Sequence, residues 1–179
     1  MPKRFMCLVI IFLLRGINLH SQEMIWEELN LLNENVKIDF SLFPTKHKWE
    51  KNKCIPILDT PSKKNYRTII AGGAEMEANF DGKYRIVEFG AGSGVQYFFI
   101  IDLNNGNVYE GRTSSFGIKY STNSSMIIIN PIENMFWEDG DFVPYWSFIE
   151  YIKWNGEGFI SLAIINGGLY GNNLLDAKN

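Results

Sequence analysis

The sequence predicts a mainly β, α+β fold: an antiparallel sheet of hairpins, about six to seven strands, with one or two helices in the N-terminal half. Three observations predict it. From Lys83 onward, apolar and aromatic runs are separated by turn signals at Gly90 to Gly94, Asn105-Gly106, Thr122-Asn123-Ser124 and Asn155 to Gly158. These runs follow one another without helical patterns between them, which favours antiparallel pairing over crossovers. Aromatic residues make up 15% of the chain beside 16 glycines, a composition suited to pleated surfaces joined by tight turns.

Residues 22–36 carry Met24, Ile25, Leu29, Leu32 and Val36 at helical spacing, with Glu23, Glu27, Glu28 and Asn30 opposite, and predict a short amphipathic helix. Thr60-Pro61 is a helix start, with a capping hydroxyl and a proline at the first position. A helix from Pro61 to about Met76 turns Tyr66, Ile69, Ile70 and Met76 towards the core, and Gly72-Gly73 weakens it or ends it early. Strands are expected at Lys83 to Phe89 and Gln96 to Leu103, the second central because both its faces are apolar. Asn105-Gly106 fits a type I′ turn, with Asn107 to Gly111 as the return strand. A second hairpin spans Gly117 to Ser121 and Met126 to Asn130, stopped by Pro131. A third spans Tyr145 to Trp154 and Phe159 to Ile164.

Met1 to Ser21 reads as a secretory leader. Lys3 and Arg4 precede an uncharged run from Phe5 to Leu14, which is shorter than the ~20 residues a spanning helix needs. Leu19 and Ser21 fit the small-residue rule of the cleavage site poorly. The expected organisation is a signal peptide at 1–21, one secreted α+β domain at 22–166 and a polar, glycine-rich tail at 167–179. Such a protein is secreted or periplasmic, with no stable membrane span once the leader is removed. Cleavage removes Lys3, Arg4 and Arg15 and no acid, taking the net charge from −3 to −6. That sign argues against nucleic acid as a partner. Cys7 leaves with the leader, so Cys54 remains as a lone thiol with no internal disulfide, expected to be buried and inert, with pairing between chains as the alternative.

The run Ile86 to Gly94 resembles the glycine loop of S-adenosylmethionine-dependent methyltransferases, with Glu110 roughly placed for a ribose. That loop must lead into a helix, whereas Val95 to Leu103 is aromatic and β-branched. Too few residues precede Asn104-Asn105-Gly106 for a parallel crossover. The alternative is a tight turn between paired strands, and a second resemblance supports it. It rests on Tyr66-Arg67-Thr68, Ala78-Asn79-Phe80-Asp81-Gly82-Lys83-Tyr84, and Val87-Glu88-Phe89-Gly90 with Gly92, Gly94 and Gln96. It continues through Ile101-Asp102-Leu103, Gly106, Val108-Tyr109, Ile127-Ile128-Ile129-Asn130-Pro131, Tyr151 and Trp154-Asn155-Gly156. In these residues the stretch from Asp59 to Trp154 is similar to a family of small secreted or periplasmic bacterial proteins of uncharacterised function. In that family the turn usually carries two cysteines, as Gly-Cys-Gly-x-x-Cys-Gln. Ala91 and Val95 stand there instead, which makes a redox role for this turn untenable. A link closing so short a loop would add little stability.

Glu88 shares a strand face with Tyr84 and Ile86. Its carboxyl is therefore expected to be partly desolvated and raised in pKa, or satisfied by the turn amides, Arg85 or Arg67. His47, among Lys46, Lys48 and Lys53, reads as a solvated loop histidine. Asp102, Asn104 and Asn107 depart from an EF-hand pattern. Glu138, Asp139 and Asp141 with Gly140 form an acidic turn rather than a metal site. Trp137, Tyr145, Trp146, Tyr151 and Trp154 form a dense aromatic segment that fills the core on one face and offers a surface for a sugar or partner on the other. The ligand-binding candidates are Glu88, Gly92, Ser93, Gln96, Trp146, Tyr151 and Trp154. No catalytic constellation, cofactor or metal is called for. The leading expectation is a non-enzymatic module that binds a protein or a cell-wall saccharide outside the cytoplasm. An extracytoplasmic hydrolase, pairing Glu88 with an acid of the 138–141 loop, is the alternative. The methyltransferase is disfavoured.

Overall fold

The computed structural model describes residues 25–51, 54–90, 92, 94–136, 138, 141–144 and 146–166. The expected leader and the 167–179 tail lie outside them. Helix α1 (Trp26–Asn35) is followed by α2 (Pro61–Asn65) and α3 (Arg67–Ala74). Seven strands follow: β1 (Tyr84–Gly90), β2 (Gln96–Asp102), β3 (Val108–Glu110), β4 (Ile118–Tyr120), β5 (Met126–Ile129), β6 (Phe148–Trp154) and β7 (Phe159–Asn166). They form two antiparallel sheets, ordered β1-β2-β3 and β4-β5-β6-β7. The chain is thus mainly β with helices in its N-terminal half.

Alternation along the strands builds four layers. Tyr84, Ile86, Phe98 and Ile100 of the first sheet pack against Ile118, Ile127, Ile129, Ile152 and Trp154 of the second. The opposite face of β2, with Phe99 and Ile101, is covered by Ile70 and Ala74 of α3. The opposite face of the second sheet, with Met126, Ile149, Tyr151, Ala163 and Ile165, is covered by Leu29 of α1. Two apolar faces on one strand therefore mean that β2 lies between a sheet and a helix. On the inner face of β6 the buried Glu150 carboxylate accepts from Ser161 Oγ at 2.8 Å and pairs with Arg112.

Several expectations change in detail. Thr60 caps α2, its Oγ1 accepting from the Lys63 N–H at 3.2 Å, but the helix breaks at Tyr66 into two. Ile70 is fully buried, whereas Ile69 and Met76 are exposed, because the second segment turns a different face to the sheet. Gly73 does not end α3. A Cβ there would stand 2.3 Å from Val87 Cγ1, so glycine is what lets helix and strand approach. The loop at Asn105-Gly106 is wider than a type I′ turn: Gly106 alone has positive φ, at 81°. Its N–H and the Asn107 carbonyl both bond Asp102, at 2.8 Å each. The glycine run joins β1 to its antiparallel neighbour β2, with Gly92 and Gly94 at φ of 84° and 76°. No helix follows it, so it lacks the helix N-terminus on which a nucleotide-type loop relies.

Candidate functional site

At the end of β1 that meets the glycine turn, Glu88 and Gln96 open into a cleft of about 390 Å³. Its other walls are the segment from Ser115 to Ile118, together with Glu133, Asn134 and Phe136. The segment is shaped by two asparagines. Asn130, at φ 53°, accepts from the Ser115 and Phe116 N–H groups through Oδ1 at 2.8 and 3.0 Å. Its own N–H donates to the Gly117 carbonyl at 2.9 Å. Asn134 donates through Nδ2 to the Phe116 carbonyl at 2.8 Å. Asparagine tolerates the left-handed conformation better than most residues and has the polar tip to hold neighbouring backbone. At Gly117, φ is 75° and a Cβ would stand 3.5 Å from Gln96 Oε1.

Glu88 lines the cleft and is exposed to solvent. Partial desolvation still pushes its carboxyl above the ordinary range, against the Ile118 N–H and the Tyr120 hydroxyl, which hydrogen-bond it. Tyr120 in turn accepts from Asn79 Nδ2 at 3.2 Å, and the same side chain brackets the Ile86 backbone at both its N–H and its carbonyl. Among the described residues the arginines are not its partners: Arg85 donates to the Glu77 carbonyl and Arg67 to that of Lys64. Glu133, on the same cleft, behaves oppositely. Burial opposes its ionisation, yet the Lys119 ammonium hydrogen-bonded to it holds the carboxyl below its ordinary range.

Aromatic rings border this polar cleft. Phe116 in its wall lies parallel to Trp146, with an interplanar angle of 5° and centroids 6.2 Å apart. Trp146 is 51% exposed and Phe136 89%. Of the residues singled out from the sequence, the structure therefore brings Glu88 and Gln96 together on the cleft, while Trp146 stacks on Phe116 of its wall and does not line it. Gly92 serves the turn and does not line the cleft. Ser93 lies outside the described residues, as do Trp137 and Tyr145. Tyr151 is buried, its hydroxyl donating to Asn33 Oδ1 at 2.7 Å. Trp154 is buried among Tyr84, Tyr109 and Phe159. Both are therefore packing residues of the two cores. Glu138 and Asp141 do not line the cleft; the Glu138 N–H donates to Asp141 Oδ2 at 2.9 Å. Asp139 and Gly140 are outside the described residues.

Reading the sequence alone misses Phe116, Asn130, Asn134, Phe136 and Glu133. The available signal was the Asn-Pro pair at Asn130-Pro131, which marks a turn at the end of a strand and hence a place where backbone is shaped. Cys54 is half-buried rather than buried as expected, and burial raises its thiol. No group of three or more potential metal ligands occurs among the described residues. No family model, curated protein or solved structure matches the chain.

Proposed function

We propose that the protein is an extracytoplasmic binding module whose cleft at Glu88, Gln96, Phe116 and Trp146 takes a cell-wall saccharide. The carrying observation is the half-exposed Trp146, stacked on Phe116 beside a pocket lined by two carboxylates and two side-chain amides. Sugars present apolar C–H faces rimmed by hydroxyls. Aromatic rings match the first and short polar side chains the second. The Asn130 and Asn134 bonds hold the aromatic loop before any ligand arrives, which lowers the ordering cost of binding. The basic and then apolar leader supports a location outside the cytoplasm, and no described helix is long and apolar enough to cross a membrane.

Calorimetric titration with the tetramer of β-1,4-linked N-acetylglucosamine tests the reading. Saturable binding is expected, with Trp146→Ala weakening it by about tenfold or more, the usual cost of an aromatic anchor. Absence of heat at millimolar sugar, or unchanged affinity in Trp146→Ala, overturns it. A second reading, hydrolysis, is favoured by one observation: Glu88 and Glu133 share the cleft with pKa values displaced in opposite directions, the pattern of an acid and base pair. Release of shorter oligomers from the tetramer, lost in Glu88→Gln, would establish it. An intact tetramer after prolonged incubation leaves binding alone.

A further inference from the structure

A second cavity, of about 460 Å³, is walled by Leu42, Phe43, Lys46, His47, Asp81 and Lys153, with Trp154 at its edge. It shares no lining residue with the saccharide cleft, so a ligand held there is independent of that reading. Asp81 sits on a turn whose shape is imposed from both sides. The Asp81 and Gly82 N–H groups donate to the carbonyls of Ser121 and Thr122, at 3.3 and 2.7 Å. Asp81 itself has φ 40° and Gly82 φ 72°, and a Cβ on Gly82 would stand 2.2 Å from the His47 carbonyl oxygen. Only glycine permits that crossing.

The turn presents a carboxylate whose two oxygens differ. Oδ2 faces His47 Nε2 at 3.8 Å, and the Asp81 side chain is only 3% exposed. The Thr45 hydroxyl hydrogen-bonds the group, yet Oδ1 is buried with no hydrogen-bond partner among the described residues. A buried acceptor without a donor is costly, and native structures rarely keep one unless something else supplies the donor. The surrounding charge is positive. His47, Lys83 and Lys153 all act on the Asp81 charge. Lys83 is committed to Asp102 at 2.7 Å. Lys46 and Lys153 form no ion pair among the described residues, and Lys153 lies 5.7 Å above the Phe43 ring in the cavity wall.

We propose that this cavity binds a small zwitterion of amino-acid type, its ammonium donating to Asp81 Oδ1 and its carboxylate facing Lys46 and Lys153. A simple anion meets the Asp81 charge, and a simple cation meets the lysines. A neutral polyol satisfies the carboxylate and leaves both ammonium groups without a counter-charge. A zwitterion satisfies both signs at once, and Leu42, Phe43 and Trp154 offer an apolar wall to its side chain.

The test is calorimetric titration of the protein at neutral pH with leucine, isocaproate and isoamylamine, which share a carbon skeleton and differ in charge. Leucine is expected to bind saturably. Each singly charged analogue is expected to bind at least ~30-fold more weakly, as when one partner of a buried charge pair is removed. Asp81→Asn removes leucine binding, with a melting curve showing that it folds. Lys153→Met, at a partly solvated position, weakens leucine about fivefold and carries the test if Asp81→Asn does not fold. No saturable leucine binding, or isocaproate binding as tightly as leucine, overturns the proposal.

Discussion

Trp146 and Trp154 come from one aromatic stretch and meet opposite fates. Trp146 lies just before β6, half-exposed and parallel to Phe116. Trp154 ends β6 at 2% exposure, edge-on to Tyr84 and Tyr109 and tilted against Phe159 between the two sheets. Similar chemistry serves two purposes because the strand begins between them. Once β6 pairs with β5 and β7, period-two alternation forces Trp154 inward. Trp146 is outside that constraint, and the Asn130-shaped loop supplies its neighbour. Stability is concentrated where both sheets meet, and the proposed recognition where the second sheet's first loop turns back.

The contrast breaks most visibly at Trp154. Trp154→Ala is expected to cost about 4 kcal/mol, the range for deleting a buried tryptophan, and urea unfolding monitored by circular dichroism checks it. Next is the hinge between the two regions. Asn130→Ala leaves the Ser115 and Phe116 N–H groups without their acceptor, at a cost of about 2 kcal/mol. It also loosens the cleft, so stability and saccharide affinity fall together in the same preparation. Trp146→Ala should leave the midpoint of unfolding within about 0.5 kcal/mol of the parent while weakening the sugar. A large stability loss there would erase the distinction between the two tryptophans.

A smaller effect concerns pH. A carboxyl raised in the folded state holds its proton more tightly there than in the unfolded chain. Its contribution to stability is full below the unfolded pKa and is lost as pH rises through the raised folded value. Glu88 and Asp81 are both raised, desolvation being the main cause. Glu88→Gln should therefore show a smaller fall in melting temperature than the parent between the ordinary carboxylate range and neutrality. Asp81 keeps part of the dependence. A parent and variant with the same pH profile would contradict the raised Glu88 carboxyl.

Local elements were legible because their signals are local. Thr60-Pro61 starts a helix, Pro131 ends a strand, and the apolar run of β2 marks a central strand. Division into two sheets was not, because strand partners depend on which faces meet, and the faces of β1, β5 and β6 all read as apolar. Glu88 was legible as a strand-face carboxylate. Its partner Tyr120 is remote in sequence, and so is the His47–Asp81 approach. His47 reads as a solvated loop histidine and is 43% exposed; what the sequence does not show is that the chain from Pro44 to Trp49 is laid across the Asp81-Gly82 turn, where the Trp49 N–H bonds the Gly82 carbonyl at 2.9 Å. Long-range contacts of that kind leave no periodicity to read.

Reception of a ligand at the Glu88–Trp146 cleft can be mapped residue by residue. Chemical shifts of the backbone and indole N–H groups, followed during titration with the N-acetylglucosamine tetramer, report on it without any substitution. Saturable shifts are expected at Glu88, Gln96, Ser115 to Ile118, Asn134, Phe136 and the Trp146 indole, with Trp154 unmoved. Shifts confined to other surfaces, or none at saturating sugar, would contradict the assignment of the cleft.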